Sequence, residues 1–191
     1  MASSFFENQE FKHLKTAESP LEKAEYEHCV FTNCDFFNAN LSDIKFLECE
    51  FNDCNFSGAN INNTGFQSVS FNGCKILGLH FENANPFALS FSFTDCQLNH
   101  SSFYKLKLPR AIFINCKLEG VDFSEAALAG SNFSNADFKS ARFDRTNLEN
   151  SDFRGATNYV IDVENNRIKG SKFSLEEVSG LLEKYHIKIE Q

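Results

Sequence analysis

The chain has 191 residues, enough for one core or a short solenoid, and its 42% apolar content includes 23 Phe, one Met and no Trp. A formal net charge of −8 argues against a general nucleic-acid binder, which is expected to be basic, so no direct contact with nucleic acid is expected. No stretch approaches the ~20 apolar residues of a membrane-spanning helix, and seven Cys with no secretory leader ahead of them point to a reduced, cytoplasmic protein.

Residues 1–10 carry no clear beat and are predicted to be loose, although Phe6 and Phe11 already fall on the spacing that follows. From Tyr26 a large apolar residue recurs at every fifth position: Phe31, Phe36, Leu41, Phe46, Phe51, Phe56, Ile61, Phe66, Phe71, Ile76, Phe81, and again Phe91. Two residues before each sits a small apolar one, such as Cys29, Cys34, Ala39, Cys49 or Cys54, and polar residues fill the remaining three positions. This spacing fits neither a 3.6-residue helix nor an alternating strand; it fits a short extended stretch followed by a corner. Cys29 and Cys49 lie twenty apart, as do Cys34, Cys54 and Cys74, so twenty residues make one coil with four sides. Coils stacked at ~4.8 Å place like residue on like, which predicts columns of Phe inside an all-β, right-handed, four-sided β-helix.

Between Asn83 and Phe93 the beat shifts by two residues around Pro86, whose missing N–H predicts a local bulge or kink. It then resumes from Phe93 through Leu98, Phe103, Leu108, Phe113, Leu118, Phe123, Leu128, Phe133, Phe138, Phe143, Leu148 and Phe153, giving about seven coils and a rod of roughly 34 Å from Phe11 to Phe153, within a repeat region of residues 11–173. Only Phe5, Phe37 and Phe87 fall outside both frames. After Phe173, Ser174 and Glu177 make a capping box for an α-helix in which Leu175, Val178, Leu181, Leu182 and Tyr185 share a face. Ile187 and Ile189 then alternate like a short strand, and the whole of 174–191 is placed to cover the open end of the last coil.

All seven Cys fall at the small inward position, which favours packing over metal or disulfide chemistry, and the five His form no ligand spacing. No motif implies a catalytic residue, a metal or a cofactor. Charge is the informative surface feature: residues 26–91 hold seven acidic and two basic side chains, residues 92–156 eight of each. Asp35, Asp43, Glu48, Glu50 and Asp53 in the N-terminal coils are therefore the candidate partner-binding residues.

The run of Ala or Cys, then Asp or Asn, then a large apolar residue, as in Ala39-Asn40-Leu41, Cys54-Asn55-Phe56 and Ala136-Asp137-Phe138, resembles the pentapeptide-repeat family over most of residues 11–173. The rod with a C-terminal helix and apolar tail is similar to the topoisomerase-protecting branch that includes Qnr, MfpA and McbG, and closer to its members without large projecting loops. That resemblance implies a non-enzymatic rod that imitates duplex DNA, binds DNA gyrase and protects it from a toxin or drug. It also implies a homodimer through Leu175, Val178, Leu181, Leu182, Tyr185, Ile187 and Ile189. Duplex DNA carries roughly twenty charges over ~34 Å, against a net eight here, so any mimicry is local to the acidic coils. A structural or adaptor module with a partner unrelated to DNA is the alternative.

Overall fold

A computed structural model describes residues 4–190. Twelve short strands, all paired in parallel, run β1 (Ser4–Glu7), β2 (Glu10–Lys12), β3 (Ala24–Glu27), β4 (Val30–Thr32), β5 (Lys45–Leu47), β6 (Glu50–Asn52), β7 (Gly65–Gln67), β8 (Val69–Asn72), β9 (Phe91–Thr94), β10 (Ile112–Ile114), β11 (Asp152–Phe153) and β12 (Lys172–Phe173). One sheet has the order β1-β3-β5-β7 and another β2-β4-β6-β8-β9-β10. Partners stand twenty residues apart, as in Phe31↔Phe51 and Tyr26↔Phe46, so the fold is the four-sided β-helix that the spacing predicts.

Phe11, Phe31, Phe51, Phe71, Phe93, Phe113, Phe133, Phe153 and Phe173 form one unbroken column, with successive ring centroids 4.6 to 5.3 Å apart and planes within 8 to 27° of parallel. Eight steps in that column, seven from Phe11 to Phe153 and one more to Phe173, make the rod roughly 38 Å long. Rings on adjacent sides meet edge-on, as Phe51 does with Phe46 and Phe56 at 5.1 and 5.0 Å, so both favourable aromatic geometries alternate through one continuous core. The three Phe outside the beat, Phe5, Phe37 and Phe87, are 52%, 55% and 74% exposed.

The corners follow from local chemistry. The second residue after most of the large ones takes a left-handed backbone, as at Asn38, Asp43, Glu48 and Asp53, where Asn, Asp and Gly are tolerated best. Asp or Asn just before the large residue accepts the amide two residues on, as in Phe37 N to Asp35 Oδ1 at 3.1 Å and Ser57 N to Asn55 Oδ1 at 3.1 Å. This turn is the physical reason for the Asp/Asn of the repeat. At the small position, hydroxyls serve as well as apolar groups because they reach a carbonyl of the preceding coil: Thr64 Oγ1 to Leu41 O at 2.8 Å, Thr146 Oγ1 to Phe123 O at 2.8 Å.

All seven cysteines are buried free thiols at this position. Burial pushes the Cys49 thiol from 9.0 up to about 12. A folded-state value above the unfolded one favours the protonated fold, so its contribution is intact below pH 9 and is lost as pH rises from 9 to 12. Denaturation followed from pH 8 to 11 should therefore show a falling stability, and a thiol reagent at pH 8 should titrate the cysteines only after unfolding; rapid modification of the native chain would contradict the inward placement.

Five expectations need correction. Ser4–Glu7 is not loose: it is β1, in register with β3, and Phe6 stacks on Tyr26 at 4.9 Å, so the first coil begins before residue 11; residues 1–3 lie outside the described residues. Phe91 does not continue the large-residue column. It pairs with Val69 at the small position, twenty-two residues on, because the bulge between Asn85 and Ser90 adds two residues to that coil. Its ring leans on Phe66, Phe81, Phe93 and Phe103 and fills the side where the bulge brings no large residue. The C-terminal helix is 3₁₀, over Leu175–Leu181 and Glu183–Tyr185, not α. The capping box does not close: Ser174 Oγ accepts from Gly155 N at 2.9 Å and Glu177 accepts from Asn158 N, so both caps are spent on the last coil. Finally, residues 187–190 form no strand.

Candidate functional site

The five acidic residues picked from the sequence do not form one patch. Side-by-side neighbours in this fold are twenty residues apart, whereas Asp35, Asp43, Glu48, Glu50 and Asp53 lie within nineteen consecutive residues and so go round the coil. Asp43, Glu48 and Asp53 occupy three successive left-handed corners, with φ of 64°, 50° and 54°. Asp35 stands on a different side between Lys15 and Asn55, and Glu50 between Val30 and Ser70. Asp43 is also largely neutralised: Lys23 Nζ lies 3.0 Å away and the Asn63 amide 2.9 Å, and the two hold its carboxyl below the ordinary range.

Register gathers a different set. On the outer face of the β1-β3-β5-β7 sheet, Glu7 is beside Glu27, Phe5 beside Glu25, and Glu27 beside Leu47. At the neighbouring corner His28 stands between Glu27 and Glu48, 3.8 and 3.5 Å from their oxygens. Lys45 pairs with Glu25 at 3.1 Å. A shallow cleft lined by Glu25, Lys45, Leu47, Gly65, Gln67, Asn85 and Phe87 continues this face to the bulge, where Phe87 projects. The face thus combines Glu7, Glu25 and Glu27, and Glu48 at its corner, with exposed Phe5 and Phe87 and half-buried Leu47. Glu7, Glu25 and Glu27 were missed by counting along the chain; reading charge at a lag of twenty finds them.

The C-terminal half has as many basic as acidic side chains over residues 92–156. Its charges are cross-linked between coils, through Lys105–Glu125, Lys139–Glu119, Arg145–Glu125 and Arg167–Glu149 at 3.6, 3.1, 3.2 and 3.0 Å. The tail residues split into two groups. Leu181 packs on the core and the Tyr185 hydroxyl donates to Glu164 at 2.9 Å, while Leu175, Ile187 and Ile189 are 83%, 56% and 57% exposed. Leu175, Val178 and Ile189 line one cleft, and Leu182, Ile187 and Ile189 another. No group of three His, Cys, Asp or Glu among the described residues is placed to hold a metal ion, and no helix among them is long and apolar enough to cross a membrane.

The family description "pentapeptide repeat region" matches residues 24–92, 44–113 and 89–173. Among solved structures the chain is similar to trypsin-treated QnrB1, a plasmid-mediated fluoroquinolone resistance protein, at 19% identity, with 98% of each chain covered and a TM-score of 0.63. Full-length QnrB1 gives 21% identity, 96% of this chain, 100% of that chain and a TM-score of 0.51. These identities establish likeness of fold. No curated protein sequence matches the chain. With the repeat region covering most of its length, the chain belongs to the pentapeptide-repeat family.

Proposed function

We propose that this chain is a non-enzymatic, cytoplasmic binding rod that docks DNA gyrase and shields it from a toxin or drug, using local rather than full-length imitation of DNA. The observation that carries this reading is the register that sets Glu7 beside Glu27 and Phe5 beside Glu25 on one sheet face, with Leu47 next to Glu27 and Glu48 at the adjoining corner. A row of carboxylates on a rigid rod offers a protein the charge it would meet on a phosphate backbone, and the apolar residues offer area for docking. Support for gyrase in particular comes from the likeness in fold to QnrB1.

Purified chain is expected to bind gyrase and to preserve its supercoiling in the presence of a fluoroquinolone. Glu27→Lys combined with Glu48→Lys should weaken that binding by roughly tenfold, with the melting temperature unchanged, since both side chains are on the surface. If the unaltered chain neither binds gyrase nor changes supercoiling with or without inhibitor, the gyrase reading is withdrawn. Capture of a partner unrelated to DNA through the same face would then support the adaptor alternative.

The same proposal makes the rod a homodimer through the outward tail residues Leu175, Val178, Leu182, Ile187 and Ile189. Ile187→Asp with Ile189→Asp should halve the mass seen by light scattering while leaving the melting temperature in place. An unchanged mass would remove the dimer assignment.

A further inference from the structure

The two ends of the rod differ in how they are closed. Among the described residues, β1 and β2 are the outermost strands of their sheets at the N-terminal end, and Phe6, Phe11 and Leu14, which open the inner columns, are only partly buried. In a parallel ladder alternate residues bond to opposite neighbours, so β2, as the outermost strand of its sheet, aims N–H and C=O groups off the end. At the other end β12 and Phe173 close the last coil, and the chain then turns across it as the 3₁₀ segment Leu175–Leu181.

That segment is lightly held. It contains no buried residue. Its attachments are the packing of Leu181 on the core, the Gly180 carbonyl accepting from Ile161 N at 3.0 Å, the Ser174 hydroxyl and Glu177 carboxylate accepting from Gly155 N and Asn158 N at 2.9 and 3.4 Å, and one latch. In the latch Lys184 Nζ sits 2.6 Å from Asp162 and 2.5 Å from Glu164, whose other oxygen takes the Tyr185 hydroxyl. A unit with few buried contacts opens locally well before the rod melts.

We propose that residues 174–190 are a removable stop, and that lifting them lets the first coil of a second copy stack head to tail on the last coil. The occupant is a second copy because the chain's own two ends are complementary cross-sections of one repeat. Phe173 ends the column that Phe11 begins, and β12 ends the side on which β2 starts, so seating β2 of a neighbour on β12 repeats the contact already made by β4 on β2 or β6 on β4. Such a contact is heterologous and does not close, so it propagates as a fibre one rod wide. It uses a different surface from the tail-to-tail dimer and does not depend on the gyrase reading.

The test uses the full chain carrying Gly180→Val. A Cβ at Gly180 runs into the Tyr159 carbonyl and approaches its ring at 3.0 Å, so the segment must lift; exchange of the Ile161 amide, which Gly180 holds, reports that it has done so. The expected result is growth in mass with concentration, roughly tenfold or more, into fibres of single-rod width, abolished by adding Phe11→Lys. A mass equal to that of the unaltered chain, with Ile161 exchanging freely, overturns the proposal. If Ile161 stays protected, a chain ending at Ser174 decides on the same criterion, and melting of the rod in that shortened chain would make the segment part of the core and also overturn the proposal. The Ile187→Asp, Ile189→Asp pair leaves the stop in place, so failure of the dimer and failure of the stop read out separately.

Discussion

Replacing Phe133 with alanine is expected to cost about 3–5 kcal/mol and to lower Tm by roughly 10 °C or more. Phe133 is 0% exposed and sits in the nine-ring column, 5.3 Å from Phe113 and 4.8 Å from Phe153, with Phe123 and Phe138 edge-on at 6.0 and 5.5 Å. Truncation removes the ring's transfer energy and leaves a hole that stacked coils, locked by backbone bonds above and below, cannot collapse to fill. Phe87→Ala is the matched control: that ring is 74% exposed, and its loss should change stability by no more than about 0.5 kcal/mol. Equal melting of the two variants, followed by circular dichroism, would refute the inward assignment.

The second large effect is expected at a corner. Gly155 has φ of 72°, and a Cβ there collides with the Asn135 Oδ1 one coil below and lies 3.2 Å from its Cγ. Gly78 has φ of 69° with nothing within 4 Å of the same position. Gly78→Ala should therefore cost only the left-handed penalty of about 1–2 kcal/mol. Gly155→Ala adds the collision, for a total of about 2–4 kcal/mol. Asn135→Ala in the second background should return the difference and leave the backbone part. Equal costs for the two alanine variants would show that corner side chains do not stack in register.

Much of the fold was legible because the repeat is redundant. The beat of five, the small residue two before it and the lag of twenty between cysteines each imply the same square coil, so an irregular coil does not change the answer. Where only one signal marks a position, spacing and structure part in identifiable ways. Phe91 satisfies the old frame by lying twenty after Phe71, yet Phe93 takes that column, because the two extra residues fall between Asn85 and Ser90 and precede it. Sequence spacing alone cannot say where within 83–93 an insertion sits. In the first coil Thr16 stands where a large residue is due, hiding a beat that Phe6 and Phe11 in fact begin.

The C-terminal segment was ambiguous for a different reason. Leu175, Val178, Leu181, Leu182 and Tyr185 suit a period of three as well as 3.6, and in so short an element the tie is broken by tertiary contacts. Here Ser174 and Glu177 bond to Gly155 and Asn158 instead of capping the helix, and Gly180 presses on Tyr159. The candidate site shows the same lesson most clearly. Glu48 and Glu50 are neighbours along the chain but stand at a corner and on the side that follows it, whereas Glu7 and Glu27, a full coil apart, are side by side. In a solenoid, charge clustered in sequence forms a belt, and only charge clustered at the coil period forms a face.

That coil period is what places the proposed docking face, and it can be measured directly with spin labels on cysteines introduced at outward positions, the native thiols being buried. Thr32, Ile114 and Arg154 occupy one outer column, with Ile114 four coils and Arg154 six coils beyond Thr32. Pulsed dipolar distances from a label at Thr32 are predicted to be roughly 19 Å to Ile114 and roughly 29 Å to Arg154, a rise of about 4.8 Å for each coil. Distances that fail to grow by that step, or that place Arg154 nearer than Ile114, would contradict the stacked square coil and with it the alignment of Glu7 with Glu27.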